Sequence, residues 1–270
     1  MLDTTDLGAD AVVGMVHLDA LPGAPEFEGD REAIRAAMLR DARRLEAGGV
    51  DALLVENYGD TPYFAEDVPK HVVASMAALV ADLRRETDLP IGVDVLRNDA
   101  EAALSVAATA GGGFVRVNVH TGARVTDQGL LQGQAAETVR LREQIDAEVA
   151  ILADLAVKHS AAIAERPVPE LVAELIERGH ADGVVVSGPA TGQATATEQL
   201  EAVRAARDQV DPAVPVFVGS GVTPATVREQ LGIADGVVVG TALKEGGETT
   251  APVSQSRVEA MVEAASTVRD

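Results

Sequence analysis

Short β-branched runs recur at fairly even spacing along the 270 residues, and no other feature constrains this chain as much. They are Ala11–Val16, Val50–Val55, Ile91–Leu96, Phe114–Val119, Val149–Leu155, Gly183–Val186, Val216–Val218 and Gly236–Val239. The Ala/Arg/Glu-rich stretches between them carry apolar residues at helical spacing, as in Ile34, Met38 and Leu45, or Leu171, Leu175 and Ile176. Asn98-Asp-Ala-Glu101 reads as a capping box and Thr223-Pro224 as a cap before a first-turn proline. Gly48-Gly49 and Gly179 read as helix stops. Strand alternating with helix implies a parallel sheet, because each parallel crossover needs a covering helix. Eight such units in this length predict an α/β fold, a single (β/α)8 TIM barrel forming one domain over residues 1–270. A doubly wound sheet usually carries a glycine-rich loop after its first strand. Here His17-Leu-Asp-Ala-Leu-Pro-Gly23 follows instead.

A hydrophobic fraction of 47% supplies a full core. Without cysteine, disulfides, thiolate chemistry and iron–sulfur clusters are excluded. No apolar run reaches the ~18 residues of a membrane span, and the acidic N-terminus does not resemble a signal peptide, so a cytoplasmic protein without membrane insertion is expected. Lys+Arg of 22 against Asp+Glu of 43 gives a net charge of −21, which disfavours nucleic acid through phosphate repulsion. The lysines are Lys70, Lys158 and Lys244 alone. An acid excess with so little lysine fits a halophilic cytoplasm, where molar salt shortens the Debye length to about 3 Å. The melting temperature is therefore expected to rise as KCl approaches molar levels. A flat or falling curve removes the halophilic reading.

In such a barrel the active site lies at the C-terminal ends of the strands. Those positions hold His17, Asp19, Glu56, Asn57, Asp94, Arg97, Arg116, Asn118, His120, Asp154, Lys158, His159, Ser187 and Gly188. Asp94, Arg116, Asn118 and Asp154 sit within otherwise apolar runs, where an ionisable group must be paired or wet. In the last quarter, Gly219-Ser220-Gly221 follows the seventh strand and Gly240-Thr241 the eighth, with Lys244 nearby. Glycine turns expose backbone N–H groups to a phosphate, and barrels commonly build phosphate sites on these two loops. The long segments His17–Gly29 and Asn57–Lys70 hold Phe27, Tyr58, Tyr63 and Phe64, which suit either a lid or a contact with a second subunit, hence a homo-oligomer. A third long loop, Thr121–Gly133, adds Arg124, Thr126, Asp127 and Gln128 to the same rim.

Gly14-Met-Val-His-Leu-Asp-Ala-Leu-Pro-Gly-Ala-Pro25, Val55-Glu-Asn-Tyr-Gly-Asp-Thr-Pro62 and Gly92-Val-Asp-Val-Leu-Arg-Asn-Asp99 resemble segments of the BtpA/SgcQ family. So do Arg116-Val-Asn-Val119, Thr126-Asp-Gln-Gly129, Ala153-Asp-Leu-Ala-Val-Lys-His159 and Gly219-Ser-Gly221. The resemblance runs from the first strand to the last; Tyr58 stands where that family usually has phenylalanine. It implies a barrel similar to the ribulose-phosphate-binding superfamily. The family takes its name from photosystem I biogenesis in cyanobacteria, and other members neighbour sugar-metabolism genes.

These readings converge on an enzyme for a small phosphorylated metabolite, a sugar phosphate or a nucleoside-derived one, with isomerase, epimerase or lyase chemistry. Gly219, Ser220, Gly221, Gly240 and Thr241 are the expected phosphate ligands. His17, Glu56, Asn57, Arg97, Asn118, Ser187 and Gly188 are expected to bind the remainder of the substrate. Asp94, Arg116, His120, Asp154, Lys158 and His159 are the expected catalytic groups, with Lys158 a Schiff-base nucleophile if desolvated. No cofactor is required by these residues. A divalent-metal lyase using Glu56, Asp94, Asp154 and a histidine is one alternative, and a non-catalytic assembly factor binding a protein partner is the other.

Overall fold

The computed structural model describes residues 10–188 and 196–266; the acidic N-terminus noted above lies outside them. Eight parallel strands close into a barrel: β1 Ala11–His17, β2 Ala52–Glu56, β3 Ile91–Asp94, β4 Phe114–Val117, β5 Ala150–Asp154, β6 Gly183–Val186, β7 Val216–Val218 and β8 Gly236–Val239. Each pairs with its neighbours in sequence, and β1 pairs with β8 in the register Ala11 to Gly236. The helices are α1 Arg31–Ala47, α2 Lys70–Arg84, α3 Ala100–Ala110, α4 Ala135–Gln144, α5 Val168–Ala173, α6 Thr197–Val210, α7 Val227–Leu231 and α8 Gln255–Ser266. The barrel expected from the strand arithmetic is the one observed.

Strand period two divides the core into two layers. Outward residues such as Val12, Leu53, Val93, Val115, Ile151 and Val184 pack beneath the helices. Inward residues Val13, Met15, Leu54, Phe114, Leu152, Val185, Phe217 and Val238 fill the barrel. Two glycines make room for the large rings. A Cβ on Gly92 would lie 2.1 Å from the Phe114 ring, and one on Gly236 would lie 2.5 Å from Phe217.

The helix ends follow local chemistry, with two corrections. Asp30 caps α1 by accepting from the Ala33 N–H at 3.0 Å, and Gly48 terminates that helix. Asp99, not Asn98, caps α3, accepting from Ala102 N–H at 2.8 Å. Asn98 instead exchanges hydrogen bonds with the Val119 backbone, at 2.8 and 3.1 Å. Thr223-Pro224 begins a turn rather than the helix: Thr226 folds back on Thr223, and α7 starts at Val227.

Carboxylates at the bottom of the barrel tie strands together. Asp51 accepts from Val12 N–H, Asp182 from Ile151 N–H and Asp235 from Val216 N–H, each at 2.8 Å. Arg142 pairs with Asp182 and Arg207 with Asp235. Part of the acid excess is therefore structural. The segment Thr121–Gly133 is not an open loop. Ala123–Thr126 and Gly129–Gln132 form an antiparallel hairpin, joined by Ala161–Ala162 into a three-stranded sheet at the barrel mouth. No helix among the described residues is long and apolar enough to cross a membrane.

Candidate active site

The same inward periodicity that fills the barrel brings His17, Glu56, Asp94, Arg116 and Asp154 to its C-terminal rim. Glu56, Asp94, Arg116, Asn118, Asp154 and Ser187 are all buried. Arg116 grips Asp154 bidentately, Nε donating to Oδ2 at 3.0 Å and Nη2 to Oδ1 at 2.8 Å. Asn118 Nδ2 donates to the same carboxylate at 3.2 Å and Ser187 Oγ at 3.3 Å. Four donor contacts therefore converge on Asp154. Arg97 lies alongside, donating to Asn118 Oδ1 at 3.1 Å and to the Lys158 carbonyl at 2.6 Å.

The electrostatics separate these groups. Burial is the largest influence on Asp94; with the charges of Glu56 and Asp154 it overrides Arg116 and Arg97 and pushes the carboxyl up to about 8. Asp94 is thus largely protonated at neutral pH, its Oδ2 3.4 Å from Asn118 Nδ2. Burial also opposes charge on Arg116, but the Asp154 carboxylate and its hydrogen bonds outweigh that, and the guanidinium pKa is raised. Burial, helped by Lys244 and Lys158, lowers His17 well below the ordinary imidazole value. His17 is therefore neutral near pH 7, and its 3.7 Å approach to Glu56 is a dipolar contact rather than an ion pair. Lys158 is also lowered, by burial first and Arg116 second, against the pull of Glu56, Asp154 and Asp94.

A cavity of about 250 Å³ opens at this rim, between the β7 and β8 loops. Gly219–Pro224 and Gly240–Ala242 form one side; His17, Tyr58, Arg116, Lys158 and Arg257 complete it. Gly221 has φ +70°, a left-handed conformation open to glycine and strained for a side chain. A Cβ on Gly219 would meet Val185 Cγ1 at 2.5 Å and Ser187 Oγ at 2.6 Å, so the β7 loop has to pass this point without a side chain. Ser220 Oγ accepts from Gly188 N–H at 2.8 Å, linking the β6 and β7 loops. A second cavity, of about 520 Å³, lies beside the hairpin and is lined by Asn118, Asp154, Arg124 and Arg166. Arg124 reaches it while donating to Ser160 Oγ at 2.5 Å. Thr126, Asp127 and Gln128 instead bond among themselves and to Gly129 at the hairpin turn.

Several expected site residues do other work. His120 is fully buried, with Nε2 2.7 Å from the Gly179 carbonyl, and lines neither cavity, so the structure separates it from the catalytic cluster. His159 is exposed and likewise lines neither. Asn57 uses both amide atoms internally, donating to Asp60 and accepting from Leu96 N–H. Lys244 is 1% exposed, and its Nζ donates to Asp41 of α1 at 2.8 Å, so it stabilises α1 and does not serve the glycine loops. Arg257, in the first turn of α8, is the cation that sequence reasoning missed; its Nε donates to the Ala242 carbonyl at 2.8 Å. The long segments after β1 and β2 are joined, with Gly59 N–H donating to the Leu18 carbonyl at 2.9 Å. Among the described residues, no three His, Asp or Glu side chains gather in a group that could hold a metal ion.

A closed parallel barrel whose inner residues change from apolar to ionisable at the C-terminal rim defines a TIM-barrel protein. Within that class the chain belongs to the BtpA family, whose model matches residues 8–267. It is 40% identical to the photosystem I biogenesis protein BtpA of Synechocystis sp. over 254 residues, covering 94% of this chain and 87% of that one. An uncharacterised protein of Thermococcus kodakarensis is 41% identical over 264 residues, 98% of each chain. Among solved structures, the barrel is similar to N-(5'-phosphoribosyl)anthranilate isomerase of Pyrococcus furiosus, with TM-score 0.56 and 13% identity over 96% of this chain and 100% of that one. It is also similar to tryptophan synthase of Mycobacterium tuberculosis, with TM-score 0.59 and 19% identity over 95% and 93% of the two chains. At these identities the structural likeness is one of fold.

Proposed function

We infer that the chain is an enzyme acting on a small phosphorylated metabolite, with the phosphate held between the Gly219–Gly221 and Gly240–Thr241 loops. One observation carries this reading: a single cavity joins both glycine turns to Arg116, Lys158 and Arg257. In a chain of net charge −21 holding only 22 Lys and Arg, two guanidinium cations on one small cavity select an anion. Backbone N–H groups at the two turns supply directed donors, and the cations supply charge. The opposite end of the substrate then faces His17 and Tyr58 on the same wall, a neutral imidazole and a phenol able to relay a proton, with the buried Asp94 carboxyl behind them. Isomerisation, epimerisation and aldol-type cleavage all need such a proton shuttle.

Inorganic phosphate is expected to bind with an affinity measurable by calorimetry. Gly221→Val, which puts a β-branched side chain at φ +70°, is expected to weaken binding by at least about tenfold, as loss of one charge-assisted hydrogen bond of ~1.5–3 kcal/mol implies. Unchanged affinity in that variant places the anion elsewhere. The second reading, an assembly factor, draws support from exposed Val125 and Leu130 on the small sheet, with Ile163 just beyond it, and from the biogenesis role for which the Synechocystis relative is named. The same titration separates the two, because a barrel kept only for docking needs no anion affinity at this cavity.

A further inference from the structure

We propose that Lys158 is a Schiff-base lysine: its Nζ attacks the carbonyl carbon of a phosphorylated ketone or aldehyde whose phosphate occupies the glycine loops. The inference rests on the phosphate reading above and names the substrate class for that same cavity. The chain has three lysines, and the structure gives them three different environments. Lys70 is exposed at the start of α2. Lys244 is buried and committed to Asp41. Lys158 alone lines the cavity, and its Nζ makes no hydrogen bond or ion pair with any described residue.

An amine is nucleophilic only when its lone pair is free, which requires that no carboxylate hold it as ammonium. The three carboxyl groups near Lys158 are each otherwise occupied. Asp154 is taken up by Arg116, Asn118 and Ser187. Asp94 is largely protonated, and Glu56 lies against His17. Burial is the main influence disfavouring ammonium at Lys158, and Arg116, on the same cavity, adds a like charge in the same direction. Neither Arg116 nor Arg257 can replace Lys158 as a nucleophile, since a guanidinium stays protonated.

The step balances without any redox partner. A new bond forms from Nζ to the carbonyl carbon as the C–O π pair moves to oxygen, giving a carbinolamine. The C–O bond then breaks, and the oxygen leaves with the two amine hydrogens as water, so that amine plus carbonyl becomes imine plus water. His17 and Tyr58, on the same wall, are placed to relay those protons. Protonated at nitrogen, the imine draws electrons from the adjacent carbon, which permits loss of an α-proton or cleavage of a C–C bond. Hydrolysis returns the free amine.

The test is reductive trapping on the full-length protein. Dihydroxyacetone phosphate, glyceraldehyde 3-phosphate and unphosphorylated dihydroxyacetone are each added with sodium borohydride, and the adduct is mapped by peptide mass spectrometry. The expected result is one adduct, at Lys158, from a phosphorylated carbonyl, with Lys70 and Lys244 unmodified. Excess inorganic phosphate at ten times its Kd is expected to cut the yield by about tenfold, because only ~10% of sites stay free. Lys158→Met, with its fold checked by circular dichroism, is expected to lose the adduct. Adducts on Lys70 or the N-terminus at equal yield, or no Lys158 adduct from any of the three while calorimetry shows phosphate bound, overturns the inference and leaves the phosphate reading standing. A Lys158 adduct formed equally from unphosphorylated dihydroxyacetone and insensitive to phosphate does the reverse.

Discussion

Asp154→Asn is expected to lower the stability of the fold by about 3–5 kcal/mol, the range for breaking a buried ion pair from one side. The substitution keeps the size and one acceptor oxygen, but it turns an amide toward a guanidinium. Arg116 Nε and Nη2 now reach Asp154 Oδ2 and Oδ1 at 3.0 and 2.8 Å, and both side chains are buried. With asparagine, one of those nitrogens faces another donor, and the positive charge of Arg116 is left inside the barrel with less than full compensation. Asn118 and Ser187, which also donate to this carboxylate, lose part of their anchorage at the same time. Urea unfolding at pH 7 measures the effect directly. A variant that unfolds at the wild-type midpoint while turnover drops by about 10²–10⁴ would return Asp154 to the role of general base. With four donor contacts converging on it, Asp154 fits better as the group that fixes Arg116 toward the cavity than as a free proton acceptor.

The barrel was legible in the sequence because burial on both faces of a parallel strand writes itself as a continuous apolar run. Five of the eight ranges differ from the observed strands only at their ends, and Gly183–Val186, Val216–Val218 and Gly236–Val239 coincide with them. The inner polar layer was legible for a related reason: within a strand, period two fixes which side chains point inward, so the sequence alone places Asp94, Arg116 and Asp154 together. Past the strand end that rule lapses. His120 follows Asn118 by two residues, yet β4 ends at Val117, and the chain has turned enough that His120 meets the Gly179 carbonyl instead of the cavity. Lys244 fails similarly. The short 3-10 turn Thr241–Leu243 rotates the chain, and the lysine is aimed outward at Asp41, some 200 positions earlier in sequence.

Arg257 was illegible for the opposite reason. Nothing in Ser254-Gln-Ser-Arg257 distinguishes a site arginine from a surface one; only the docking of α8 beside the β8 loop brings its guanidinium to the Ala242 carbonyl and the cavity. The hairpin Ala123–Gln132 was hidden as well. Its strands carry four residues each and an Asp-Gln turn, too short for periodicity to separate them from an ordinary loop. Of its polar residues only Arg124 reaches a cavity, because its neighbours are consumed in closing the turn.

Asp94→Asn is expected to stabilise the protein at alkaline pH, and the gain should depend on pH in one direction only. In the unfolded chain this carboxyl titrates near 3.8; in the fold, burial first and then the charges of Glu56 and Asp154 move it up to about 8. Below pH 4 both states hold the proton, and no stability difference arises from it. Between about 4 and 8 the unfolded chain ionises first, so unfolding releases a proton and wild-type stability falls as pH rises. Above 8 both states are ionised and the penalty is constant. Asparagine is neutral throughout and still presents an oxygen to Asn118 Nδ2, so it removes that loss while keeping the contact. At ~1.4 kcal/mol for each tenfold change in proton affinity, the rise from 3.8 to about 8 sets a ceiling of ~6 kcal/mol, with a realised gain on the order of 2–4 kcal/mol once neighbouring carboxyls share the titration. Melting temperatures of the two proteins should coincide at pH 4, separate steadily to about pH 8 and hold a constant gap above it, with the variant higher. Parallel curves over that range would mean that Asp94 is ionised in the fold, leaving His17 and Tyr58 as the proton-bearing groups on the cavity wall. If the curves diverge and turnover of a carbonyl phosphate falls in the same variant, the destabilising carboxyl is retained for its proton, a stability cost located at the site where the chemistry needs it.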